Sequence, residues 1–138
     1  MKTGEIRNRV KELVALSRQT DGINELIEVG LEMGQLMFYI QENESEYHGL
    51  YLDAYNGRKN SENRLILKYI NEEKMSVAKA QSAAHLEIME LKALESKFEV
   101  DWNDVKGFRY TLQDYKNGLQ QKIANLRKES EIESMRQH

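Results

Sequence analysis

The chain has 138 residues, 31% of them charged, a net charge of −3, and neither cysteine nor proline. Without cysteine there are no disulfides, no thiolate metal sites and no thiol nucleophile, and without proline nothing imposes the cost of about 3 kcal/mol that breaks a helix. No apolar run approaches the roughly 18 residues of a membrane span, and Met1-Lys2-Thr3-Gly4-Glu5 does not read as a signal peptide. The expectation is one all-α domain, residues 1–138, in the cytoplasm, with no membrane partner.

In chain order, the first element is a short helix within 1–19. Ile6, Val10, Leu13, Val14 and Ser17 fall on one stripe of a 3.6-residue period. Arg18-Gln19-Thr20-Asp21-Gly22 interrupts it, with Thr20 or Asp21 placed to cap the next helix. That second helix, 22–56, carries a seam of Ile23, Leu26, Ile27, Gly30, Met33, Gly34, Met37 and Ile40, continued by Tyr47, Tyr51 and Tyr55. Asn56-Gly57 predicts a C-terminal stop. A loop to Asn60 then turns the chain back into an antiparallel hairpin, with Ser61 as the next cap.

The third element, 61–130, is a long heptad helix. Ile70, Val77, Ala84, Leu91, Phe98, Val105, Leu112, Leu119 and Leu126 are apolar at every seventh place, the repeat of a coiled-coil seam. Two places invite a break. Near 75, Ser76 can cap a fresh helix at Val77; near 103, Asp101-Trp102-Asn103-Asp104 lines up weak helix formers. The tail 131–138 loses the apolar track and is expected to fray.

Charge is unevenly spread. Thr20 to Asn56 holds eight acids and no Lys or Arg, whereas Gly57 to Lys79 holds six cations against three acids. The pattern predicts two arms folded together with opposite charges flanking the seam.

Length then demands a partner. A helix over 62–129 would span roughly 100 Å and the second helix only about 50 Å. Phe98, Trp102, Val105, Phe108, Leu112, Tyr115, Leu119, Ile123 and Leu126 are left over, and exposing them forgoes about 1.5–3 kcal/mol each. They must pack on another copy, on another protein, or on the chain's own helices folded back near Asp101. A homo-oligomer is the expected solution.

Sites for chemistry are sparse. Gly30-x-x-x-Gly34 reads as close packing in a soluble helix. Neither His48 nor His85 has the Glu three residues earlier that a di-iron bundle needs, so no metal and no cofactor are expected. Glu25-Leu26-Ile27-Glu28 and Glu87-Ile88-Met89-Glu90 evoke the carboxylates of all-α, Mg-dependent nucleotide pyrophosphohydrolases, yet Glu-x-x-Asp is missing. No catalytic residue is predicted. Tyr55, Arg58, Lys59 and Arg64 would gather at the hairpin tip, where an aromatic beside three cations can stack a base and hold phosphates. Lys106, Arg109, Lys116, Lys122, Arg127 and Lys128 form a second basic group. The isoelectric point near 5.7 is far from that of an ordinary DNA-binding domain, so nucleic-acid contact is an open alternative to solvated charge.

Residues 74–84, Lys-Met-Ser-Val-Ala-Lys-Ala-Gln-Ser-Ala-Ala, lead into a Leu/Lys/Glu-rich run to Phe98. Lys106-Gly107-Phe108-Arg109 and the closing Gln121-Lys122-Ile123-Ala124-Asn125-Leu126-Arg127 follow. Over about residues 70–130 this resembles the small coiled-coil proteins of tailed bacteriophages, which carry a Lys-Met-(Ser/Thr) step, an alanine-rich helix start and a terminal Ile-x-x-Leu-(Lys/Arg). The resemblance implies a non-enzymatic accessory protein of phage DNA replication or recombination, in the host cytoplasm, beside a recombinase or single-strand-binding protein. It implies no catalytic residues. Two other functions remain open at this point: an acidic inhibitor of a host defence protein using Asp21 to Asp53, and the nucleotide hydrolase.

Overall fold

The computed structural model describes residues 2–137, and it is all-α. Four helices follow in order: α1 (Thr3–Gln19), α2 (Ile23–Asn71), α3 (Val77–Glu87) and α4 (Met89–Arg136). They form two compact units that share α2 and α4. Unit 1 holds α1, α2 up to Asn43 and α4 from Asp104; unit 2 is Glu44–Asn103.

Unit 1 is a three-helix bundle. The α1 stripe expected from the sequence is its buried face: Ile6, Val10, Leu13 and Ser17 are all buried. Leu26, Val29, Met33, Leu36, Met37 and Ile40 of α2 meet it, and Val105, Leu112 and Leu119 of α4 complete the core. The Ser17 hydroxyl donates to the Val14 carbonyl at 2.7 Å, so its polar group is satisfied within its own helix. Lys122 of α4 donates to the carbonyls of Ser17 (3.3 Å) and Thr20 (2.9 Å). This places a cation on the negative end of the α1 dipole. The first hydrogen bond of α2 runs from Leu26 N–H to Gly22 C=O, so Gly22 opens the helix, not the expected Thr20 or Asp21.

Unit 2 is an antiparallel hairpin. Ala80 and Ala84 of α3 pack on Tyr69 of α2, with Leu65, Ile66, Ile70, Met75 and Ala83 around them. The hairpin turn is at 72–76. Met75 N–H returns to the Tyr69 carbonyl at 3.0 Å, Lys74 takes the left-handed conformation (φ 55°), and the Ser76 hydroxyl caps α3 by accepting from Lys79 N–H. Of the two places that invited a break, the one near 75 is used, and Ser76 supplies its cap.

Several expected boundaries move. The stop at Asn56-Gly57 does not occur, and α2 runs 15 residues beyond Asn56 to Asn71. Tyr47, Tyr51, Tyr55, Arg58, Glu62, Leu65 and Tyr69 recur at three- and four-residue steps, so one inward face continues straight through the glycine. A helical glycine costs about 1 kcal/mol, less than burying that continuing face returns. The acidic and basic stretches are therefore mostly consecutive lengths of one helix and not facing arms. The long heptad helix over 61–130 is divided: it breaks at 72–76 and bends again at Ile88, which has φ −95° and ψ 9°. It does not break near 103, since α4 passes through Asp101–Asp104 uninterrupted. The tail is helical to Arg136, because Ser130 to Arg136 contains no glycine or proline and local propensity carries it on.

Candidate interaction surfaces

The nine residues expected to form an intermolecular seam are largely occupied by the chain itself. Val105, Leu112 and Leu119 are only 0, 0 and 3% exposed. Phe108 lies under the Arg7 guanidinium (5.4 Å to the ring centroid), and Arg7 also reaches Asp104 at 3.7 Å. Tyr115 lies under Arg18 (5.3 Å), whose guanidinium donates to the Tyr115 hydroxyl at 2.6 Å. Ile123 and Leu126 are half-buried. Covering comes from α1 and the first part of α2. The fold-back that supplies it is made by the turn at 72–76, not by a break near Asp101, and that is why the expectation of leftover residues fails for the centre of the ridge. In unit 2, Phe98 and Trp102 are half-buried. The Trp102 indole stacks on His48 (4.4 Å between centroids) and on Tyr51 (5.7 Å).

The basic cluster is dispersed in the same way. Tyr55, Arg58, Lys59 and Arg64 sit within the C-terminal half of α2 and not at a hairpin tip. Arg58 is engaged by carboxylates: its Nε and one terminal nitrogen donate to both oxygens of buried Glu95, and its other terminal nitrogen donates to Glu62 at 3.1 Å. The bond to Glu95 is the chief reason the guanidinium holds its proton more firmly than usual. Tyr55 is flanked by Arg58 (5.3 Å) and Lys59 (5.1 Å). Arg64 is exposed, but at roughly 100° per residue it points about 140° away from Lys59 around the helix. Two cations on separate faces and a third bound to carboxylates do not make one phosphate-binding surface. Burial, then the carboxylates of Glu99 and Glu95, raise the Tyr51 hydroxyl above the ordinary tyrosine pKa.

Residues bearing on chemistry are scattered. Glu25 folds back over Gly22, where an added Cβ would meet its carboxylate, and Glu87 accepts a hydrogen bond from the Tyr69 hydroxyl. The two Glu-x-x-Glu pairs belong to different units. Among the described residues no group of three or more His, Asp or Glu is placed to hold a metal ion, and no helix is long and apolar enough to cross a membrane.

Two apolar surfaces were not legible as seams. In unit 1, Leu31 and Phe38 are 65% and 60% exposed on α2. Leu31 lines a groove of about 630 Å³ between α2 and α4, with Ile27, Gly30, Gly34, Leu119 and Ile123 among others, and Phe38 lies two turns further along α2. The two glycines form the floor of the groove: a Cβ on Gly30 would lie 3.4 Å from Leu119 Cδ2, and one on Gly34 would lie 3.6 Å from Lys116 Nζ. Both distances are those of ordinary van der Waals contact, so neither glycine is required there for close approach. In unit 2, Leu86, Met89 and Val100 are 68, 57 and 58% exposed. With Ala93 they follow the side of the helix opposite buried Ile88 and Glu95. The seven-residue spacing of Leu31 and Phe38 is visible in the sequence, but it is a single interval beside the nine-place track of Ile70 to Leu126. No family model, curated protein or solved structure matches the chain.

Proposed function

We propose that this chain is a non-enzymatic interaction protein, a helical scaffold that holds other proteins by side-chain packing. The observation that carries the reading is the row Leu86, Met89, Ala93 and Val100. It runs along unit 2 away from that unit's core and leaves three large apolar side chains more than half exposed. Isolated exposed leucines are ordinary, whereas a row at helical spacing is what a docking helix or groove requires. The resemblance of residues 70–130 to small coiled-coil proteins of tailed phages supports a setting in phage DNA replication or recombination, beside a recombinase or single-strand-binding protein. Protein contact is favoured over direct contact with nucleic acid because Arg58 is held by Glu95 and Glu62.

The test is a calorimetric titration of the purified chain with the recombinase and, separately, the single-strand-binding protein encoded in the same genome. Binding of either one, lost in Met89→Glu/Val100→Glu while the helical circular dichroism is retained, supports the reading. Failure of both titrations, or magnesium-dependent release of pyrophosphate from nucleotides that Glu25→Gln abolishes, refutes it.

A further inference from the structure

We infer that the groove between α2 and α4 of unit 1 is the seat of a second copy of this chain, in a two-fold dimer that sets α2 of each copy against α4 of the other. The inference goes beyond the partner reading above and uses a different surface. It begins with an asymmetry of charge. The α2 wall belongs to the stretch with eight acids and no cation. Glu28, three residues before Leu31, and Glu42, four after Phe38, flank the apolar pair, and both are exposed. Across the groove, Arg109, Gln113, Lys116, Gln120, Ile123 and Arg127 succeed one another at three- and four-residue steps along one side of α4. That wall has three cations and no acid.

An acidic wall facing a basic wall across an apolar floor is complementary to itself. Two such faces can be related by a two-fold axis in two ways. If the axis lies across the helices between Leu31 and Phe38, α2 covers α2 antiparallel and Glu28 of each copy approaches Glu42 of the other, which is repulsive. If the axis runs along the helices, α2 covers α4. The register within one chain fixes what then meets, because Gly30 lies beside Leu119 and Gly34 beside Lys116, and the two helices run antiparallel. Glu42 comes level with Arg109, Glu28 falls between Lys116 and Arg127, and Leu31 lies over Leu119. The symmetry makes each of these contacts twice. Leu31 and Phe38, exposed in one chain, cover the floor that the glycines leave open in the other. The homo-oligomer expected from the heptad seam is thereby retained, but on a face whose large side chains are free and not on the ridge that the chain buries itself.

Light scattering in the micromolar range tests this. The full chain has a monomer mass of 16.2 kDa, and the expected mass is twice that. Leu31→Glu/Phe38→Glu replaces only exposed side chains; it is expected to give the monomer mass with unchanged helical circular dichroism. Glu28→Lys/Glu42→Lys is expected to weaken self-association about tenfold or more. Adding Arg109→Glu, Lys116→Glu and Arg127→Glu to that variant should restore association, because complementarity returns with reversed sign. A monomeric wild-type chain, a dimer mass unaffected by Leu31→Glu/Phe38→Glu, or a charge reversal that strengthens association overturns the proposal. None of these results depends on whether the recombinase or single-strand-binding protein binds.

Discussion

Arg58 shows how a single residue's neighbours decide its role. A guanidinium beside a tyrosine and a lysine suggests phosphate binding until Glu95 is placed opposite it. Glu95 is 8% exposed, and a carboxylate so shielded is retained only because Arg58 pairs with it through two nitrogens. Arg58→Ala is expected to cost about 2–3 kcal/mol, since it strands the Glu95 charge, whereas Arg58→Met with Glu95→Leu should be close to neutral; urea denaturation of the three proteins separates these outcomes. Tyr69 makes a pH prediction. Its hydrogen bond to Glu87, helped by burial, lifts the hydroxyl from 10 to about 12. The folded state therefore holds the phenolic proton where the unfolded chain has released it. This contribution is complete below pH 10 and is lost as pH rises toward 12. Between those limits the wild type should lose more stability than Tyr69→Phe, as read by thermal melts. Lys74, at φ 55°, occupies a conformation that costs an L-residue about 1 kcal/mol or more. Lys74→Gly should raise the melting temperature.

At the scale of elements, the informative case is α2. Its sequence contains a good local stop, Asn56-Gly57, and the helix passes through it because the inward-facing row does not change phase there. Nothing lies within 4 Å of a Cβ placed on Gly57. Gly57→Ala is therefore expected to stabilise the chain by up to about 1 kcal/mol, and Gly30→Ala, whose Cβ would stand in ordinary contact with Leu119 at 3.4 Å, should gain a similar amount. Paired melts of the two variants check this. The stop that does operate, at 72–76, was visible as the Ser76 cap but was outweighed by a heptad count that kept its phase across the turn. Ile70 and Val77 are seven residues apart, yet they lie on different helices, and Val77 is exposed. Periodicity measured on sequence cannot distinguish one helix from two that happen to resume in phase. The α1 stripe was fully legible because it is short, bounded and made of a single face.

For the whole molecule, the all-α class and the long C-terminal helix were readable from the heptads and the absence of proline. What covers that helix was not readable, because covering depends on where the chain turns, and a shift of the turn from 57–60 to 72–76 changes which lengths of helix can meet. The greasy ridge of Val105, Leu112 and Leu119 is core, and the surfaces proposed for other molecules are the row along unit 2 and the groove of unit 1. Hydrogen exchange along α4 from 105 to 119 tests this assignment most directly. If the ridge is covered by α1 and α2 of its own chain, those amides exchange slowly, and equally slowly on dilution below the range in which the proposed dimer would form. Protection at 105–119 that disappears on dilution would show that another molecule supplies the cover, and would contradict the account.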